Sequence, residues 1–152
     1  MTEAEFYRQI ITGAPDTIIM ADRDGRIQLW NAAAAMMFGY TAEEALGQPL
    51  DLIIPERFRE RHWQGYRRVM EGGVARYERE LLAVPAVRKD GTRLSVEFSL
   101  VIVHDSGGQV CGAAALIRDV TARWQHEQAL KARLAALEVQ ERTSSAHGQA
   151  VL

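Results

Sequence analysis

The chain predicts an α+β domain: a five-stranded antiparallel sheet with helices on one face, flanked by N- and C-terminal helices. Three observations predict it. Two short β-rich runs are joined by a tight turn, a series of capped helical segments follows, and three long extended runs separated by turn residues come after them. The 152 residues, 47% hydrophobic and 25% charged, suffice for one globular domain with its own core.

The elements follow in order. Thr2-x-x-Glu5 is a capping box, and Phe6, Ile10 and Ile11 recur at helical spacing until Gly13 and Pro15 end the helix. Thr17 to Met20 and Arg26 to Trp30 read as strands joined by Asp22-Arg23-Asp24-Gly25, whose Asp-Gly ending supplies the positive φ of a tight hairpin. Asn31 caps an alanine-rich helix to Phe38, and Thr41-x-x-Glu44 opens a short helix that Gly47 and Pro49 end. After Pro55 the pattern is helical from Glu56 to Glu71, closed by Gly72-Gly73. Tyr77 to Arg88, Thr92 to His104 and Gln109 to Arg118 form a meander of three strands, with Pro85 assigning part of the first to an edge or a bulge. From Thr121 to about Gln140 the helical period returns, with Leu130, Leu134 and Leu137 on one stripe. The expected organisation is a capping or dimerisation helix over 1–13, a central domain over 14–120, an amphipathic helix of coiled-coil type over 121–141 and a flexible tail over 142–152.

Composition excludes several classes of function. Eighteen Lys+Arg against twenty Asp+Glu give a net charge of -2, so nothing in the balance draws the chain to nucleic acid or an anionic membrane. The arginines of the long helix are mixed with glutamates, as on a solvated face. No apolar run approaches the roughly 20 residues of a membrane span. The single cysteine, Cys111, cannot close an internal disulfide, and the four histidines stand apart with no zinc spacing, which fits a reducing, cytoplasmic setting. No phosphate-cradling glycine loop and no acid-base pair is visible, so the domain is expected not to be an enzyme.

One residue stands out chemically. On the helix from Glu56 to Glu71, Phe58, His62, Tyr66, Val69 and Met70 fall four and three apart and share a face, which turns His62 inward. An imidazole on an apolar face is either a core histidine satisfied by a carbonyl or a nitrogen ligand to a metal. The residues alone leave both open.

The order of elements, with Asp24-Gly25, Trp30-Asn31, Phe38-Gly39-Tyr40, Glu43-Glu44-x-x-Gly47, Arg88-Lys89-Asp90-Gly91 and Ile117-Arg118-Asp119-Val120-Thr121, resembles a PAS domain over roughly residues 5 to 122. The resemblance implies a sensory module with a pocket between sheet and long helix, and terminal helices that pair domains and pass a signal to an effector domain or partner protein. Pro55 to His62, with Tyr66 and Arg68 beyond it, is similar to the proximal helix of heme-binding PAS oxygen sensors of the FixL type. That similarity implies heme b ligated by His62, Arg68 and Arg76 as partners of its propionates, and Phe98 and Leu100 as an apolar wall over the opposite face. These sensors usually carry an arginine where this chain has Leu82, so an aliphatic distal side would favour carbon monoxide or nitric oxide over oxygen. Flavin-based light sensors of this fold use a cysteine in the region of Asp51 to Ile54, and none is present. The resemblance thus implies a homodimeric, non-catalytic sensor of a gas through heme. The alternative is a heme-free PAS domain that binds a small apolar metabolite or serves as a dimerisation module.

Overall fold

Thr2 starts the chain's first helix, α1 (Glu3–Gly13): its hydroxyl accepts from the Glu5 N–H while the Glu5 carboxylate accepts from the Thr2 N–H. The structure is a computed structural model that describes residues 1–72 and 82–150. Strands β1 (Thr17–Asp22) and β2 (Ile27–Trp30) form the expected hairpin, pairing Ile19 with Trp30 and Ala21 with Ile27. Helices α2 (Ala32–Phe38) and α3 (Ala42–Ala45), a 3₁₀ turn (Leu50–Ile53) and α4 (Glu56–Met70) follow. Next come β3 (Leu82–Val87), β4 (Arg93–His104) and β5 (Val110–Asp119). The stretch from Tyr77 to Leu81, expected as the start of a strand, lies outside the described residues.

The five strands form one antiparallel sheet in the order β2-β1-β5-β4-β3. The last strand of the chain is therefore inserted between β1 and β4. β3 lies at the edge, and that is where Pro85, which has no N–H for a ladder, is tolerated. Ile19, Ile27, Trp30, Leu94, Val96 and Ile117 project from one face of the sheet and pack with Ala34 and Phe38 of α2, Ala45 of α3 and Ile53. Helices thus cover one face, as expected.

Asn31 binds this core together. Its Oδ1 accepts from the N–H of Ala34, capping α2, and from that of Ile18 in β1, while its Nδ2 donates to the carbonyls of Ile11 and Asp16. The side chain is 4% exposed, so its polar atoms are buried and all have partners. One residue thereby ties α1, β1 and α2.

The contacts divide the chain into two compact units, Met1–Asp119 and the segment from Val120 onward, and each is described by itself. The second is a single helix, α5 (Thr121–Ala150), which continues past residue 141, where the sequence places the start of a flexible tail. The physical reason is the absence of any breaker before Gly148; the Thr143 hydroxyl bonds back to the Val139 carbonyl one turn earlier at 2.9 Å, which leaves the helix unbroken. No helix among the described residues is long and apolar enough to cross a membrane.

Two glycines make opposite predictions. A Cβ at Gly112 of β5 would stand 2.4 Å from the Ala21 carbonyl oxygen and 3.1 Å from Cε of Met20, whereas Gly65, exposed in the interior of α4, has nothing within 4 Å. Gly112→Ala is expected to lower stability by about 1–3 kcal/mol through overpacking. Gly65→Ala should raise it by about 0.5–1 kcal/mol through backbone entropy. Urea unfolding of both variants checks the pair; a neutral Gly112→Ala would show that β1 and β5 are not this close.

Candidate functional site

Helix α4 carries the candidate site. It starts at Pro55, without a side-chain cap, and turns Phe58, Arg59, His62, Trp63, Tyr66, Val69 and Met70 inward while the rest of its surface is exposed. Arg59, absent from the apolar stripe, is turned inward as well. Its Nε donates to the Ile54 carbonyl at 3.0 Å and its Nη2 to the Asp51 carbonyl at 3.3 Å, so the guanidinium satisfies the end of the 3₁₀ turn and binds it to α4.

Trp63, which the spacing argument passed over, also lies on this face. Its indole N–H donates to Oδ1 of Asp51 at 2.7 Å, and its six-membered ring lies over Gly25, where a Cβ would fall 2.2 Å from Cζ3 and Cη2. Gly25 also has φ of +78°, so both its conformation and its neighbour require a residue without a side chain. Tyr66, one turn along, donates its hydroxyl to the carbonyls of Ala21, at 3.2 Å, and Asp22. Burial, together with the carboxylates of Asp22 and Asp24, pushes its phenol far above the usual range and keeps it a donor.

His62 sits between these two aromatics. Its ring meets Trp63 edge-on at 5.0 Å and Tyr66 at a tilt at 5.8 Å. Its Nδ1 is buried and has no hydrogen-bond partner among the described residues. Burial pushes the imidazole below its usual pKa, opposed by the nearby negative charge of Asp51. The ring is thus held neutral, the form that has a lone pair to give.

The other expected site residues are placed as follows. Phe98 and Leu100 lie half-buried on β4, on the face shared by Leu94 and Val96, opposite Ile117 and Ala115 of β5. Leu82 is the register partner of Phe98 across the β3–β4 ladder. Arg68 is exposed and stands about 120° around α4 from His62. Arg76 lies outside the described residues. The structure therefore brings His62 and Tyr66 together, and adds Trp63 and Asp51, which sequence reasoning missed. A bulky aromatic next to an inward histidine, with a hairpin glycine needing cover, was the available signal. Two surface clefts of about 250 and 260 Å³ lie elsewhere, the first lined by Arg23, Met70, His104 and Gln109, the second by Met36, Phe38, Arg88 and Lys89. Among the described residues no group of His, Cys, Asp and Glu side chains could hold a metal ion by itself.

A family model described as the PAS fold matches residues 5–120. The chain belongs to the PAS fold family, which unites sensory and signalling domains. It is 32% identical over 140 residues to the sensor protein FixL of Bradyrhizobium diazoefficiens, covering 90% of this chain and 26% of that one. It is 30% identical over 103 residues to the oxygen sensor protein DosP of Escherichia coli, covering 68% of this chain and 13% of that one. The chain spans about a quarter or less of the length of these curated relatives. Among solved structures, the PAS domain of a Colwellia psychrerythraea protein superposes with a TM-score of 0.69 at 22% identity, over 80% of this chain and 99% of that one.

The His62 geometry predicts a pH dependence. Because the folded-state pKa lies below the unfolded value, the unfolded chain binds the extra proton first; the stabilising effect of a neutral His62 is full above the ordinary imidazole value of 6.5 and is lost as pH falls through the folded pKa. In a histidine-resolved NMR titration, His62 is expected to protonate at lower pH than a histidine in a free peptide, and at lower pH still in Asp51→Asn, which keeps an acceptor for Trp63 but removes the charge. A His62 midpoint at or above the ordinary value would contradict the burial seen here.

Proposed function

We propose that the chain is a PAS sensor domain that reports occupancy of an internal site at His62, with heme b as the ligand of that site and a diatomic gas, carbon monoxide or nitric oxide ahead of oxygen, as the signal. The observation that carries this reading is a half-buried imidazole on the inward face of α4 whose buried Nδ1 has no hydrogen-bond partner among the described residues. An uncompensated buried nitrogen is costly in a purely structural histidine and expected in one that awaits a partner. His62 would hold the iron, and the Phe98 and Leu100 face of β4 would exclude water from the apolar side. Arg68, exposed on α4, and Arg76 would serve the propionates. When bound, the group supplies an iron centre with an open position for a gas. The similarity to FixL and DosP, named as a sensor and an oxygen sensor, supports the same reading. Leu82 in place of a distal hydrogen-bond donor supports the preference among gases.

In this reading the domain is not itself catalytic and works in the cytoplasm as a homodimer. α1 exposes Phe6 and Ile10, 52% and 65% accessible, and α5 exposes Leu130, Leu134 and Leu137 in a heptad-like rhythm. A second copy would cover such stripes. An effector domain or a partner protein would receive the signal from α5, since the curated relatives extend far beyond the matched region.

A heme-free domain, with a small apolar metabolite or dimerisation alone as its task, is separated from this reading by one experiment. The chain expressed with added hemin is expected to show a sharp Soret band that shifts on reduction and with carbon monoxide and collapses in His62→Ala. A featureless spectrum in both proteins would refute heme binding.

A further inference from the structure

Helix α4 has little to hold it against the sheet. Most of its surface is charged and exposed, and Met70 is its one fully buried residue. Two of its anchors reach the sheet, the Trp63 ring and the Tyr66 hydroxyl, and both meet the same short stretch of chain at the tip of the β1–β2 hairpin, while the Trp63 N–H goes to Asp51. That turn is itself tightly built. The Asp22 carboxylate accepts from the N–H groups of Asp24 and Arg26, its carbonyl accepts from the Gly25 N–H, and the Gly25 carbonyl accepts from Leu50 in the segment before α4. The Ala21 carbonyl that receives the Tyr66 hydroxyl is also the atom packed against Gly112 of β5. His62 touches the rings of both anchors, and its Nδ1 has no hydrogen-bond partner among the described residues.

We propose that Trp63 and Tyr66 are positioning residues for His62: they set the plane of its imidazole and transmit its displacement to the β1–β2 hairpin, and through Ala21 to β5. The coupling half of this rests on the reading of His62 as the ligand-binding residue; the positioning half does not. The physical argument is one of shared walls. Trp63 cannot tilt without leaving Gly25, where no side chain exists to replace it, and Tyr66 cannot follow His62 without breaking its bonds to two carbonyls. A ligand that pulls the imidazole out of contact with both rings must therefore strain the hairpin or release it. Strand β5 ends at Asp119, and α5 begins at Thr121, so the hairpin's neighbour in the sheet is also the strand that runs into the last helix.

Hydrogen exchange of the full chain tests this, with Tyr66→Phe as the isosteric variant, Trp63→Phe as a second, and Gln64→Ala on the exposed side of α4 as the control. Without any addition, Tyr66→Phe is expected to speed exchange of the Asp22 and Gly25 amides by about tenfold, the size of one lost hydrogen bond. It should also move the His62 ring-proton signal while leaving those of His104, His126 and His147 in place. Trp63→Phe should act in the same direction, and Gln64→Ala should do neither. Hemin at one equivalent, with binding followed by absorption, is expected to change hairpin exchange in the wild type and to change it less in Tyr66→Phe. Unchanged hairpin amides and an unmoved His62 signal in both anchor variants would overturn the positioning role. Hemin that binds without altering the hairpin would overturn the coupling alone. Hemin that does not bind would refute both the coupling and the heme reading, leaving the positioning role to be decided by the variants.

Discussion

The missing side chain at Gly25 is the constraint on which the site depends. The β1–β2 turn needs a positive φ at that position, and glycine meets the need, but the same absence opens a space that the Trp63 ring fills. A helix with so polar a surface cannot be placed by general hydrophobic burial. It is placed by a large ring in a slot, a phenol on two carbonyls, and an arginine that binds the preceding 3₁₀ turn to it. Remove the slot and the inward face of α4, His62 included, loses its reference to the sheet.

This arrangement explains how a polar ring comes to be half-buried beside a conventional apolar core. The principal core, from Ile19 to Ile117, is apolar and lies between the sheet and α2, α3 and the 3₁₀ turn, with Asn31 satisfying its polar seams. The His62 environment is different in kind. It consists of aromatic faces, whose burial of the ring favours a neutral imidazole, and of one nearby carboxylate that opposes this without supplying a partner for Nδ1. The apolar core holds the sheet to α2, α3 and the 3₁₀ turn, whereas the partners of His62 lie outside that cluster.

Much of the fold is legible in the sequence because its signals are local. Thr2 with Glu5, Thr41 with Glu44, Asn31 and the Asp24-Gly25 turn act within a few residues of themselves, and each does what its spacing predicts. The position of β5 between β1 and β4 is not local: it depends on which strand edges remain free once the hairpins have formed, and no periodicity encodes that. At the site, the inward direction of His62 and Tyr66 follows from helical spacing. The roles of Trp63 and Arg59 do not, because the partners that turn them inward, Gly25 and the carbonyls of Asp51 and Ile54, are set by the tertiary fold. The extent of α5 is hidden for a different reason: Thr143, Ser144 and Ser145 lower helix propensity, yet a Thr hydroxyl can bond back to the carbonyl four residues earlier without ending the helix, as Thr143 does to Val139.

A PAS fold provides a scaffold on which many signals can be read, and the fold alone does not select among them. The claim that singles out this chain is that one imidazole, His62, is the point at which an iron porphyrin is engaged. The most direct measurement is a long-range nitrogen–proton NMR spectrum of the histidine-labelled chain titrated with hemin to one equivalent. The account predicts that the His62 ring signals alone vanish through contact with the paramagnetic iron, while those of His104, His126 and His147 persist. Loss of all four together, or of none, would contradict it.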